Sequence, residues 1–276
     1  MSRHGFQFSK ALGQNFLINP EICPKMATEC GADQTKGVIE VGPGFGVLTR
    51  ELAARANKVV AIELDKRLPA VLAETLRDFD NVKVVQADVM EVDLHQLIQD
   101  EFSGLDVLVC ANLPYYITSP VIMKLLEEKL PVESLTVMVQ KEAAVRICAA
   151  PGTRACGAVS VAVQYYSQPQ ILFDVPRDCF FPAPNVDSAV IRLNIRKEPP
   201  VKLETEEKQF FKLVKAAFGQ RRKTVLNSLN TGLGKSKEEL SAALQQAGIA
   251  PTARAEQLTM EQFGTLCNLL FPNKTK

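Results

Sequence analysis

The chain has 276 residues, of which 46% are hydrophobic and 23% are charged. These values are typical of a globular protein with one large domain or two smaller ones, and they argue against a fibrous or disordered chain. Charge is balanced overall but not along the chain: residues 201–276 contain 12 Lys and Arg against 7 Asp and Glu, and residues 1–200 contain 20 against 24. A basic C-terminal module favours a polyanionic partner.

The sequence carries no signal for a membrane or a secretory pathway. Residues 1–10 are polar and lack the apolar stretch of a signal peptide. The sequence contains no run of 18 apolar residues, so no transmembrane helix is predicted. The seven cysteines form no CxxC pair, and their odd number argues against a disulfide framework. We therefore expect a cytoplasmic protein with buried free thiols, no bound metal and no membrane partner.

The first half of the chain alternates between short apolar runs and helical patterns. The Asn19-Pro20 pair predicts the start of a helix that stops before Gly31. Strands are predicted at 38–41, 59–62, 82–86, 107–111 and 135–139, with helices at 48–56, 68–76, 94–100 and 120–129. Near-continuous apolar strands separated by amphipathic helices are typical of a parallel sheet covered on both faces. The right-handed crossover rule then predicts a doubly wound α/β sheet.

The second half begins with a helical pattern at 158–166 and two strand-like runs, 170–175 and 188–195, which can pair antiparallel at one edge of the sheet. Residues 197–200 are charged and contain two prolines, which is typical of a linker. Helices are predicted beyond it at 206–218, 223–230, 237–247 and 260–270. We expect an α/β domain over residues 1–198 and a small all-helical domain over residues 199–276.

A glycine-rich loop follows the first predicted strand. Gly42, Gly44 and Gly46 allow a sharp turn and let a ligand lie against the backbone. A dinucleotide fingerprint requires a further glycine at position 47, which is valine here. The acidic Glu40, two residues before the first glycine, fits S-adenosylmethionine, because the ammonium group of that cofactor favours an acidic neighbour. A tight turn without a ligand is the alternative.

Two more acidic residues end successive predicted strands. Glu63 lies about twenty residues past the glycines, where a carboxylate can accept hydrogen bonds from both ribose hydroxyls. Asp88 follows the third strand, where it can accept from an adenine amino group. Each alone is typical of a solvated loop, but together, at the edge where open α/β sheets bind ligands, they indicate a nucleoside.

The segment Asn112-Leu113-Pro114-Tyr115 follows the fourth strand. This pattern is a signature of methyltransferases that act on the exocyclic amino groups of bases. The side-chain oxygen of Asn112 and the carbonyl of Leu113 can each accept one hydrogen of an adenine N6 amino group, Pro114 stiffens the turn, and Tyr115 can stack on the base. An ordinary Asn-Pro turn is the alternative.

Five segments carry a family resemblance over nearly the whole chain: GQNFL (13–17), IEVGPGFGVLT (39–49), ANLPYYITSP (111–120), FFPAPNVDSAV (180–190) and AFGQRRKTVLNSL (217–229). The chain resembles the small-subunit ribosomal RNA adenine N6-dimethyltransferases, the KsgA type. The resemblance implies a Rossmann-like methyltransferase sheet with an antiparallel edge strand. It also implies dimethylation of N6 on two adjacent adenosines near the 3′ end of 16S rRNA, with S-adenosylmethionine as cofactor.

The resemblance also implies roles for individual residues. The implied cofactor contacts are Asn15, Leu17, Gly42, Glu63, Asp88 and Asn112, with Gln14 adjacent. Asn112, Leu113, Pro114 and Tyr115 form the implied catalytic turn. Phe180 matches the aromatic residue that sandwiches the flipped adenine with Tyr115, and Phe181 is expected in the core. Asn185 stands where the family usually has lysine, which removes a charge near the target loop.

The basic module contains the cluster Arg221-Arg222-Lys223 just ahead of a predicted helix. Clustered cations release counterions from phosphates, so we expect these residues to bind RNA, with Arg146 and Arg154 contributing from the α/β domain. A solvated helix face is the alternative. The expected partner is the small ribosomal subunit or its precursor, bound by a monomer. Two other functions stay open: a large-subunit methyltransferase of the macrolide-resistance type, and a non-catalytic protein of ribosome assembly.

Overall fold

The computed structural model describes residues 15–272, which divide into two compact units. The first, here called the sheet unit, comprises residues 15–144 and 169–195. The second, the helical unit, comprises residues 145–168 and 196–272. The sequence-based division at residue 198 lies near the last of these boundaries, but residues 145–168 belong with the C-terminal helices. Arg146 and Arg154 therefore belong to the helical unit and not, as expected, to the α/β domain.

Strands and helices alternate up to residue 147. The elements are β1 (Phe16–Leu17), α1 (Ile22–Cys30), β2 (Lys36–Val41), α2 (Val47–Ala53), β3 (Lys58–Glu63), α3 (Leu68–Thr75), β4 (Val82–Gln86), α4 (Leu94–Glu101), β5 (Asp106–Asn112), α5 (Thr118–Glu127), β6 (Ser134–Gln140) and α6 (Lys141–Ile147). The five long strands and the helices between them occur where the apolar runs and amphipathic patterns predict them.

The remaining elements complete the sheet and form the helical unit. They are α7 (Ala158–Tyr166), β7 (Ser167–Val175), β8 (Phe180–Phe181), β9 (Ser188–Ile195), α8 (Glu207–Ala217), α9 (Val225–Leu233), α10 (Lys237–Gln246) and α11 (Met260–Leu270). Polar caps begin the last three helices: Thr224, Ser236 and Thr259 each accept a hydrogen bond from a backbone N–H of the first turn.

Seven strands form one sheet in the order β4-β3-β2-β5-β6-β9-β7. Strands β4, β3, β2, β5 and β6 pair in parallel, and β9 runs antiparallel to β6. The predicted doubly wound, mostly parallel sheet with an antiparallel edge is therefore confirmed. The chain crosses from β4 to β5 past β2 and β3, so the order of the strands reverses beside β2.

Five elements differ from the sequence predictions. Helix α1 begins at Ile22 rather than next to Pro20, because Asn19 Oδ1 accepts a hydrogen bond from the N–H of Glu21 and holds a turn there. The helix ends as predicted at Gly31, which has a left-handed φ of 82°. The short strands β1 and β8 and the helix α6 are not predicted, and β7 begins three residues before the predicted position.

The helical unit has its own apolar core. Phe210 and Phe263 are fully buried in it, and the Tyr165 ring of α7 packs against Phe210 with ring centroids 5.1 Å apart. This aromatic contact explains why residues 145–168 belong to this unit. No helix within residues 15–272 is long and apolar enough to span a membrane.

Charge separates more strongly between the structural units than along the sequence. The segments of the helical unit, counted to the C-terminus, hold 16 Lys and Arg against 8 Asp and Glu. The segments of the sheet unit, counted from the N-terminus, hold 16 against 23. The helical unit is therefore strongly cationic and the sheet unit anionic.

A test of the sheet packing uses Gly37 on β2. A Cβ atom at this position would lie 2.1 Å from the ring of the buried Phe102. We expect Gly37→Ala to lower the free energy of unfolding by about 1–3 kcal/mol, because the ring has to move within a closely packed core. Urea denaturation measures the change. Gly157→Ala is the control, since a Cβ atom there meets nothing within 4 Å; equal stability losses in both variants would contradict the packing argument.

Candidate active site

A cavity of about 620 Å³ lies at the carboxyl ends of the parallel strands. Its volume is within the range of about 300–1,000 Å³ that is typical of small-molecule sites. The lining includes all ten predicted catalytic and cofactor residues: Asn15, Leu17, Gly42, Glu63, Asp88, Asn112, Leu113, Pro114, Tyr115 and Phe180. The structure therefore brings together residues that are spread over 166 positions of the sequence.

The glycine loop connects β2 to α2 and forms one wall of the cavity. The N–H of Gly42 donates to the carbonyl of Ile62, 3.0 Å away, which holds the loop against the end of β3. Gly46 has a left-handed φ of 81°, and a Cβ atom there would lie 3.1 Å from Leu72. Glycine at this position satisfies both the backbone conformation and the close packing against α3.

Glu63, the last residue of β3, is buried next to the glycine loop. Its carboxylate accepts hydrogen bonds from the backbone N–H of Gly44 at 3.2 Å and of Asp65 at 2.7 Å. Burial raises the pKa of Glu63, while these N–H donors oppose that shift. Each carboxylate oxygen has more than one lone pair, so both can also accept hydrogen bonds from ligand hydroxyls.

Glu40, on β2, is almost fully buried beside the cavity. Burial raises its pKa to about 8; the Thr49 hydroxyl opposes the shift and the charge of Glu63 adds to it. Within the described residues, Glu40 Oε2 has no hydrogen-bond partner. A buried carboxylate oxygen that receives no hydrogen bond is complementary to a cation. Glu40 therefore fits the ammonium group expected of S-adenosylmethionine.

Asp88 lies just beyond the end of β4, on the same edge of the sheet as Glu63. Asp88 Oδ1 accepts a hydrogen bond from the N–H of Met90 at 2.9 Å, and its carbonyl accepts from Glu91 at 2.9 Å. These bonds hold the side chain in a tight turn at the wall of the cavity.

The turn from Asn112 to Tyr115 lines the same cavity. Asn112 is the last residue of β5 and pairs with Met138 of β6, so its position is fixed by the sheet. The carbonyl of Pro114 accepts from the N–H of Ile117 at 3.1 Å and from Thr118 Oγ1 at 3.4 Å. Two hydrogen bonds therefore close the turn at the point where α5 begins.

Tyr115 is held at its hydroxyl. Its Oη lies 2.8 Å from Ser188 Oγ, and either hydroxyl can donate. Burial raises the pKa of Tyr115, the hydrogen bond to Ser188 opposes the shift, and the nearby Asp187 charge adds to it. The phenol is thus neutral near pH 7, and Tyr115 lines the cavity as an uncharged aromatic residue.

Residues 15–18 line the cavity and are held there by a two-stranded sheet. Leu17 of β1 pairs with Phe180 of β8, and the N–H of Ile18 donates to the carbonyl of Cys179 at 2.8 Å. The Phe16 ring packs on Phe45 of the glycine loop, with centroids 4.4 Å apart. Asn15 and Leu17 are consequently held at the cavity, while Gln14 lies outside the described residues.

The two adjacent phenylalanines have different surroundings. Phe180 lines the cavity with only 3% of its surface exposed, and packs in the core of the sheet unit. The expectation that Phe181 is a core residue is wrong, because its side chain is 52% exposed. Successive side chains of a strand point to opposite faces, so burying Phe180 directs Phe181 outwards. Asn185, also exposed, lies in the same connection.

The predicted RNA-binding residues lie elsewhere, in the helical unit. Arg221, Arg222 and Lys223 occupy the turn between α8 and α9, directly before the cap Thr224, and all three are exposed. None lines the cavity, and none has an ion-pair partner within residues 15–272. They therefore form a separate cationic surface.

Comparisons with known proteins identify the family of the chain. A dimethyladenosine transferase from Plasmodium falciparum has a TM-score of 0.74 and 25% identity, over 91% of this chain and 95% of the other. The 23S rRNA methyltransferase ErmE has a TM-score of 0.68 and 29% identity, over 93% of this chain and 99% of the other. The family model described as ribosomal RNA adenine dimethylase matches residues 5–271. The chain belongs to this family.

Closer relatives within the ribosomal RNA adenine dimethylase family share about half of the sequence. Ribosomal RNA small subunit methyltransferase A from Geobacillus thermodenitrificans is 51% identical over 99% of this chain and 94% of its own length. The protein of the same name from Alkaliphilus metalliredigens is 51% identical over 96% of this chain and 93% of its own length. The resemblance seen in the sequence motifs is therefore confirmed over the whole chain.

Two residues that hold parts of the cavity wall are not predicted from the sequence. Thr118 holds the Asn112–Tyr115 turn, and Ser188 holds the ring of Tyr115. Thr118 lies within the quoted ANLPYYITSP segment, where a hydroxyl four residues after Pro114 is a detectable signal. Ser188 is 73 positions from Tyr115, and no local pattern marks that pairing.

The buried Glu40 carboxyl predicts a pH dependence of stability. Between its ordinary pKa of 4.5 and its folded-state pKa of about 8, the unfolded chain releases the proton while the folded chain retains it. The contribution of Glu40 to stability therefore falls as pH rises through this window, by at most about 1.4 kcal/mol per pH unit. In Glu40→Gln this contribution is absent. Urea unfolding at several pH values should show a smaller loss of stability with rising pH in the variant; parallel curves would contradict the assignment.

Proposed function

We propose that this chain transfers methyl groups from S-adenosylmethionine to N6 of two adjacent adenosines near the 3′ end of small-subunit rRNA, two groups to each, in the cytoplasm during ribosome assembly. The observation that carries the proposal is the shared cavity of the Asn112–Tyr115 turn and the glycine loop. A base-binding turn and a nucleoside-binding loop on one cavity allow a methyl donor and an amino group to meet.

On the cofactor side, the chain offers acceptors for the hydrogen-bond donors of S-adenosylmethionine: the ribose hydroxyls, the adenine amino group and the ammonium group. In this proposal Glu63 accepts from the ribose hydroxyls, Asp88 from the adenine amino group and Glu40 from the ammonium group; the cavity position of all three residues supports it. The cofactor, when bound, supplies an electrophilic methyl group. The ammonium charge beside Glu40 favours the ionised carboxylate, so we expect the raised pKa of Glu40 to fall in the complex.

On the base side, the Asn112 side-chain oxygen and the Leu113 carbonyl accept the two N6 hydrogens. These hydrogen bonds draw the amino group towards tetrahedral geometry and localise its lone pair for attack on the methyl carbon. The proton leaves N6 after the transfer, so no side chain has to act as a base with a shifted pKa. Tyr115 and Phe180 hold the extruded adenine by stacking, which offsets an unstacking cost of a few kcal/mol.

The preference for the small subunit is supported by the relatives. Those that share about half of this sequence carry small-subunit names, whereas the large-subunit methyltransferase ErmE is less similar. A non-catalytic role is disfavoured by the intact Asn112–Tyr115 turn and the acidic residues of the cavity. Methylation of free large-subunit RNA in preference to precursor small subunits would favour the macrolide-resistance alternative.

We propose that the helical unit docks the RNA. Lys208, Lys212 and Lys215 are exposed and recur on one face of α8, and the helix leads into the turn with Arg221, Arg222 and Lys223. The amino end of α9 adds the positive end of its dipole beside this turn. This cationic strip is suited to a run of backbone phosphates.

The catalytic role is tested by Asn112→Ala. We expect single-turnover methyl transfer to precursor small subunits to fall on the order of 100-fold or more, because one acceptor aimed at the reacting amino group is lost. Radiolabelled methyl incorporation measures the rate, and calorimetry with S-adenosylmethionine separates loss of cofactor affinity. Asn57→Ala, which removes an exposed amide at the other end of the sheet, should retain the wild-type rate. Wild-type transfer by Asn112→Ala would refute the role.

RNA docking is tested by reversing Arg221, Arg222 and Lys223 to glutamate. Binding to the small subunit should weaken. The slope of the logarithm of the binding constant against the logarithm of the salt concentration should become shallower by roughly 0.7–0.9 for each lost phosphate contact. Cofactor affinity should not change. The control variant replaces Lys237 and Arg254, two exposed cations of the same unit, with glutamate. An unchanged salt slope in the triple variant would contradict docking at this turn, whatever happens to thermal stability.

A further inference from the structure

The hydrogen bond between Tyr115 and Ser188 joins two parts of the sheet unit that each carry one ring of the proposed adenine sandwich. Tyr115 follows β5, and Ser188 opens β9, directly after the connection that carries Phe180. Tyr115 and Phe180 line the cavity, whereas Ser188 does not. Any effect of Ser188 on the base is therefore exerted through Tyr115.

Ser188 is a fixed anchor. It is fully buried and pairs with Gln140 at the end of the β6–β9 ladder. The preceding residue, Asp187, is held from two sides: its carbonyl accepts from the N–H of Lys141 at 3.0 Å, and its Oδ1 accepts from the N–H of Arg177 at 3.0 Å. The Ser188 hydroxyl is thus supported by the sheet and by the ends of its own connection.

The anchored hydroxyl fixes the orientation of the Tyr115 ring. The backbone at this position is set by Pro114 and the turn that follows it, which leaves the two side-chain torsions of the tyrosine. A hydrogen bond at the far end of the ring restricts both. A base between two aromatic faces requires a separation of about 7 Å, which is twice the ordinary contact distance between carbon atoms. A rotated ring therefore loses contact with the base.

We infer that Ser188 is a positioning residue for methyl transfer: its hydroxyl holds the Tyr115 ring at the spacing from Phe180 that an extruded adenine requires. This inference rests on the proposed function and adds a residue to it. Ser188 provides the hydrogen bond and Tyr115 provides the face that contacts the base.

The test is a double-mutant cycle of Ser188→Ala, Tyr115→Phe and the combined variant. Both single changes remove the same hydrogen bond and retain the ring. Each should lower the single-turnover rate of methyl transfer roughly 3- to 10-fold, and the combined variant should be no slower than either. Cofactor affinity, measured by calorimetry, should equal that of the wild type. Ser134→Ala is the matched control, a buried serine at the opposite end of the β6–β9 pair, and should retain the wild-type rate.

Other outcomes overturn the inference in distinguishable ways. A wild-type rate in Ser188→Ala, or additive losses in the combined variant, would show that the hydroxyl does not act through the ring. A loss in Ser134→Ala as large as that in Ser188→Ala would indicate a general stability effect. A wild-type chain that binds S-adenosylmethionine and methylates no rRNA would refute the proposed function and this inference with it.

Discussion

The parallel pairing of β2 with both β3 and β5 determines where the proposed functional groups lie. Because the carboxyl ends of these strands meet at one edge, the glycine loop after β2 lies between Glu63 at the end of β3 and Asn112 at the end of β5. The strand order reverses at this point, which opens a crevice between the loops. The backbone hydrogen bonds of the sheet thereby place the proposed cofactor and base groups side by side.

The cavity retains acidic groups at a cost to the stability of the fold. Glu40 and Glu63 are both buried, and burial raises the pKa of each. An amide at position 40 would avoid the loss of stability with rising pH, but it would bring no negative charge to a cationic ligand. Acidic groups that destabilise the fold by their burial are expected at positions where ligand binding, and not folding, determines the residue.

Much of the fold and the location of the site could be predicted from the sequence, because long apolar strands and amphipathic helices carry periodic signals. The two-residue strands β1 and β8 are too short to show an alternation of apolar and polar residues. The surroundings of Phe180 and Phe181 depend on the register of β8 with Leu17, and a slip of one residue would exchange them. The bond between Tyr115 and Ser188 depends on tertiary structure and leaves no local trace. The roles of these residues in catalysis stay predictions.

The separation of charge between the two units has a consequence for how the protein meets its partner. A polyanion attracts the cationic helical unit and repels the anionic sheet unit. Diffusional encounters through the helical unit are therefore favoured over encounters through the sheet unit. This bias extends over about a Debye length, roughly 8 Å at physiological ionic strength, and shrinks as salt is added.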